Sequence, residues 1–101
     1  MPVDQDDLSQ AVVLYLGYGT AVVPLFNGAR LIEIYGQEKG AELSKCAREL
    51  ADEAAQFPID WAVNTLDAAG LLVRAEMHRR YPHLGDQALD AIAWKFTYDW
   101  R

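Results

Sequence analysis

Cysteine occurs once in the 101 residues, at Cys46, so no intramolecular disulfide can form and no cysteine-rich zinc site can be assembled. Histidine occurs twice, at His78 and His83, without the HExxH or i,i+4 spacing that puts two imidazoles on one metal ion. No apolar run is long: Ala11 to Leu16 is the longest, far short of the ~20 residues of a membrane span. The acidic N-terminus lacks the basic region of a signal peptide. These absences predict a cytoplasmic protein with no metal, no cofactor and no membrane partner.

Catalytic motifs are also missing. There is no GxSxG motif, glycine-rich phosphate loop or nucleophile-plus-base pattern, and Gly17-Tyr18-Gly19 runs into Thr20 instead of opening a helix. Asp67 and Glu76 are nine residues apart, which places them about 180° apart around a helix. Asp52 and Glu53 are adjacent and read as a solvated edge. The chain therefore reads as a non-enzyme.

Positive charge is scarce. Nine Lys and Arg stand against fifteen Asp and Glu, for a net charge of -6. The whole excess lies in residues 1–60, with ten acids against four bases, while residues 61–101 hold five of each. Phosphate neutralisation supplies most of the affinity of a duplex nucleic-acid binder, so this balance excludes one. It favours a basic protein partner or simple solubility.

What the sequence does contain is helix. Asp4 is placed as an N-cap for a helix over about Asp6 to Tyr18, with Asp6 and Asp7 at the positive end of its dipole. Leu8, Ala11, Val12, Tyr15 and Leu16 recur at helical spacing, and Gly17 and Gly19 end the segment. Val13 and Leu14 lie off that stripe, so this helix is apolar around more than half its circumference and reads as central.

Residues 20–35 allow two readings. Ala21 to Phe26 and Ala29 to Tyr35 are β-compatible runs joined by the hairpin dipeptide Asn27-Gly28, which would give an α+β fold with a small hairpin at about 21–35. Against it, Pro24 interrupts the first run. The favoured reading is a loop followed by a short helix capped by Asn27, with Leu31, Ile34 and Tyr35 inward and Gly36 closing it.

From Gln37 to Phe57 the stripe Leu43, Ala47, Leu50, Ala54, Phe57 predicts a long helix that Pro58 stops, with Lys45–Glu49 and Arg48–Asp52 at pairing distance. Its alanines predict close approach to a neighbour. Asp60 is placed as the next N-cap, for a helix to about Arg80 with Ala62, Leu66, Ala69, Val73 and Met77 inward. Gly70 within it marks a close helix crossing, and Tyr81-Pro82 ends it. Leu84 and Leu89 have the spacing of a hydrophobic staple around a last helix that buries Leu89, Ile92, Ala93 and Phe96. The sum is an all-α fold: a single-domain bundle over residues 1–101 of four main helices plus one short one, with short connections favouring antiparallel neighbours.

The C-terminal segment holds four of the eleven aromatic residues: Trp94, Phe96, Tyr98 and Trp100. They alternate with period two, which as a strand would put every ring on one face. On a helix Trp94 and Tyr98 form one i,i+4 stripe, and Phe96 and Trp100 form another on roughly the opposite side. Trp and Tyr are enriched at binding hot spots, so Trp94 and Tyr98 are candidate partner-binding residues. The acids Glu42, Glu49, Asp52 and Glu53 are candidates for meeting a basic partner. Arg74, His78, Arg79 and His83 form a second candidate, an anion or nucleotide site.

Small size, acidity and the lack of a catalytic constellation make the chain similar in type to bacterial immunity proteins and antitoxins that mask toxin enzymes, a likeness carried by no motif. The alternatives are a structural homodimer joined through the aromatic stripe and a small anion-binding protein.

Overall fold

The computed structural model describes residues 4–100. The first helix, α1, spans Gln5–Leu16, and Asp4 Oδ1 accepts from the backbone N–H of Asp6 and Asp7. It ends at Gly17, whose φ of +79° lies in the left-handed region and whose N–H returns to the Val13 carbonyl. The chain then folds back. Leu25 and Asn27 donate to the carbonyls of Leu16 and Tyr15, at 3.1 and 2.8 Å, which satisfies acceptors that the end of a helix leaves open. Phe26, held between those two bonds, takes a φ of +55°.

Helix α2 spans Gly28–Tyr35, and Asn27 Oδ1 accepts from the Arg30 N–H at 3.2 Å. Loop followed by short helix is therefore the conformation of residues 20–35, and no strand occurs among the described residues. Ile34 does not pack inward as its spacing suggested: it is exposed, and Leu31 is the buried residue of this element. Helix α3, Gln37–Ala55, runs antiparallel to α2. Gly40 sits directly on the α2 backbone; a Cβ there would lie 2.6 Å from Ile32 Cα and the Leu31 carbonyl oxygen. The predicted row Leu43, Ala47, Leu50 and Ala54 is buried, and Phe57 packs partly against it.

The next helix starts later than Asp60. Asp60 caps only a turn, through Ala62 N–H at 3.0 Å, and α4 spans Leu66–Arg80 with Thr65 Oγ1 accepting from Ala68 N–H. Ala62 is exposed and Leu66 half-buried, whereas Ala69, Val73 and Met77 are buried as predicted. The tertiary reason lies at Trp61. Its indole stacks parallel on Phe96, with centroids 6.4 Å apart, and lies 5.3 Å from Trp100. The link between α3 and α4 is consequently ten residues, 56–65, and those two helices do not form an antiparallel pair.

Helix α5, Asp86–Asp99, runs antiparallel to α4. The two cross closely at Gly70, where a Cβ would lie 2.8 Å from the Thr97 methyl. Leu84 and Leu89 are both buried at its start. Leu89, Ile92 and Phe96 face the core as expected; Ala93 is only half-buried, and Lys95 is unexpectedly buried. The whole is an all-α bundle. Helix α1 is central, packed on α2, α3 and α5, while α4 packs on α5. No helix among the described residues is long and apolar enough to cross a membrane.

Candidate functional site

The charged side chains are distributed unequally between pairing and exposure. Eight bases lie in the described residues, and seven of them hold a carboxylate: Arg30 on Glu33, Lys39 on Asp7, Arg48 on Asp52, Arg74 on Asp86 and Asp90, Arg79 on Glu76, Arg80 on Glu76 and Glu53, and Lys95 on Asp99. Only Lys45 lacks such a partner among these residues. On the acidic side Asp4, Asp6, Glu38, Glu42, Glu49, Asp60 and Asp67 have no cationic partner in the described chain.

Three of those seven stand together. At 100° per residue, Glu38, Glu42 and Glu49 fall within about 40° of one another around α3, roughly 130° from the buried row Leu43, Ala47, Leu50 and Ala54. Asp52 and Glu53 flank the same face. The candidate acids of the sequence reading thus share one helix face, although two are engaged. Asp52 is 3.9 Å from Arg48. Glu53 accepts from the Tyr81 hydroxyl and then from Arg80, which together hold its carboxyl below the usual range. Beside this face, Leu8, Cys46, Glu49, Leu50, Glu53 and Tyr81 line a cleft of about 250 Å³. Burial, reinforced by Glu42 and Glu49, pushes the Cys46 thiol up, away from the thiolate form that nucleophilic chemistry needs.

The basic cluster is divided by its own ion pairs. Arg74 reaches across to α5, 2.7 Å from Asp90 and 3.3 Å from Asp86. Arg79 is clamped on Glu76 through two bonds, of 2.8 and 2.6 Å. His78 and His83 are exposed. No group of three or more His, Cys, Asp or Glu side chains is placed to hold a metal among the described residues.

The C-terminal aromatics separate around α5. Phe96 is buried, and Trp100, 53% exposed, lies 6.3 Å from it. Trp94 packs beside Tyr18 at 5.7 Å and is partly buried, whereas Tyr98 is 37% exposed. Trp94 also lines a cleft of about 500 Å³ with Tyr18, Leu71, Ala93, Thr97 and the charged Asp67, Arg74 and Asp90. A separate cleft of about 410 Å³ involves residues that the sequence did not suggest: Tyr15, Phe26, Arg48, Asp52 and Lys95. There the buried Lys95 ammonium is bonded to Asp99 and lies 5.6 Å from the centre of the Phe26 ring.

The chain matches no protein-family model, and comparison with characterised proteins and with solved structures gives no significant match.

Proposed function

We propose that this protein is a small acidic binding module that holds a basic protein partner, in the manner of an immunity protein or antitoxin masking a cationic enzyme. The observation that carries the reading is the charge imbalance left after internal pairing. Seven acids but only one base lack a partner of opposite sign among the described residues. An anion would have to displace carboxylates already seated on Arg74, Arg79 and Arg80. A cation meets Glu38, Glu42 and Glu49 on the exposed face of the longest helix, where Lys45 is the one base among them and holds no carboxylate. Such a face steers a basic partner and accelerates encounter more than it deepens affinity.

The test is co-purification with the product of the adjacent gene, compared with the variant Glu38→Gln/Glu42→Gln/Glu49→Gln. The expected result is a basic partner retained by the natural chain, with an association rate at least about tenfold slower in the triple variant and falling as salt is raised. Equal rates for the two proteins at all salt concentrations would count against the acidic face.

A further inference from the structure

The helices leave an open channel on the outer surface of α5. Helix α1 packs on one side of α5 and α4 on the other, and α1 and α4 form no helix–helix interface of their own. Two clefts lie along α5, one between it, α4 and Tyr18 and the other between its start and α1. The upper one, about 500 Å³, has Tyr18 and Leu71 on its walls and Trp94 in its floor. The lower one, about 530 Å³, lies between Val13 and Leu14 of α1 and Gln87 of α5. Gln87 and Trp94 are seven residues apart on one face of α5, about 10.5 Å along the axis. Arg74, a wall of the upper one, bonds Asp86, a wall of the lower one, which places the two clefts side by side.

Resting on the reading of the protein as an acidic binding module, we infer that this channel receives a cationic amphipathic helix of the partner, anchored by an apolar side chain between Tyr18, Leu71 and Trp94. Shape gives the helical class: the channel follows α5, bounded by α4 and Tyr18 at one end and by α1 at the other, and a groove along a helix is a setting in which an amphipathic helix lays down its apolar face. Charge gives the sign. The channel carries Asp67, Asp86 and Asp90 against the single Arg74, and Asp67 has no cationic partner in the described chain. A second copy of this chain fits poorly because each copy carries a net charge of -6, and like charges brought together repel. The anchor also has the expected composition. Leu71 is 69% exposed at the rim, and Trp and Tyr are the side chains most enriched where binding energy concentrates.

The experiment uses the full chain and a synthetic peptide of about 15 residues with Leu at i, i+3, i+4 and i+7 and Lys elsewhere. A control peptide carries Glu in place of each Lys. Titration calorimetry and far-UV circular dichroism are expected to show saturable one-to-one binding of the Lys peptide with a gain in helicity, and no binding of the Glu peptide. Leu71→Lys, at an exposed position, should leave the fold intact and weaken the Lys peptide by about tenfold or more. Asp67→Asn should weaken it less and reduce its salt dependence. Equal binding of both peptides, no saturable binding at about 100 µM, or Lys-peptide affinity unchanged by Leu71→Lys would each overturn the channel. If affinity is insensitive to Leu71→Lys yet falls in the Glu38, Glu42 and Glu49 triple variant, the acidic-module reading stands and the channel alone is lost. Dimerisation of the chain through the Leu71 and Trp94 surface, seen by light scattering and abolished by Leu71→Lys, would also overturn it.

Discussion

Single atoms decide how closely two helices meet, and two glycines separate the effects of space and neighbour. At Gly40 an added Cβ would lie 2.6 Å from the Leu31 carbonyl oxygen and Ile32 Cα, both backbone atoms that move only if α2 moves. At Gly70 the close atom is the Thr97 methyl at 2.8 Å, the end of a side chain. Replacing an interior glycine by alanine favours the helix by ~1 kcal/mol, so the two substitutions should diverge. Gly40→Ala is expected to destabilise by about 1–3 kcal/mol through overpacking, whereas Gly70→Ala should remain within about 1 kcal/mol of the natural chain. Urea unfolding of both variants measures this, and equal losses would contradict the contacts that distinguish the sites. The burial of Lys95 follows similar local logic. Its aliphatic stem lies in the core while its ammonium reaches Asp99 one turn on and the Phe26 ring, as long cationic side chains do when their stems cover apolar surface.

For whole elements, boundaries were legible where one local signal had no competitor. Asp4, Gly17, Asn27 and Gly36 each mark the helix end that their chemistry predicts. The start of α4 was not legible because Asp60 and Thr65 are both capping residues, and the apolar spacing of Ala62, Leu66 and Ala69 runs through both. Stacking of Trp61 on Phe96, a contact 35 residues distant in sequence, decides between them. Thr65→Ala should therefore cost ~1 kcal/mol, the usual value of an N-cap, while Asp60→Ala stays within about 0.5 kcal/mol. A larger loss at Asp60 would restore the longer helix. Where α4 ends, Glu76 binds Arg79 and Arg80, and Arg80 continues to Glu53 on α3. Hydrogen bonds from Arg79, then Arg80, hold the Glu76 carboxyl down to about 2 from its ordinary 4.5. The folded value lies below the unfolded one, so the stabilisation is complete above pH 4.5 and is lost as pH falls toward about 2. Melting temperature should fall more steeply across that window in the natural chain than in Glu76→Gln. Parallel curves would remove this carboxylate from the acid response.

At the scale of the molecule, sequence carried the sign of the charge but not its availability. The excess of six acids is plain in composition; which acids are already occupied depends on contacts such as Arg80 with Glu53, 27 residues apart, and Arg74 with Asp90, 16 apart. The channel on α5 was hidden for the same reason, since it forms where α1 and α4, separated in sequence by two other helices, both pack on α5. The unpaired acids also bear on stability. The ion pairs are largely at the surface, where each is worth roughly 0–1 kcal/mol and is weakened by salt. The net charge of -6 opposes compaction through self-repulsion, which salt also weakens. These effects have opposite signs, and with seven acids unopposed against one base, repulsion outweighs the pairs. Raising KCl from about 0.05 to about 0.5 M at neutral pH shortens the screening length from roughly 14 to 4 Å, so the melting temperature should rise. The Glu38→Gln/Glu42→Gln/Glu49→Gln variant, with half the excess charge removed, should show a smaller rise. A fall in melting temperature with salt would mean that the pairs tying α3, α4 and α5 together outweigh repulsion, and that Glu38, Glu42 and Glu49 cost the fold nothing.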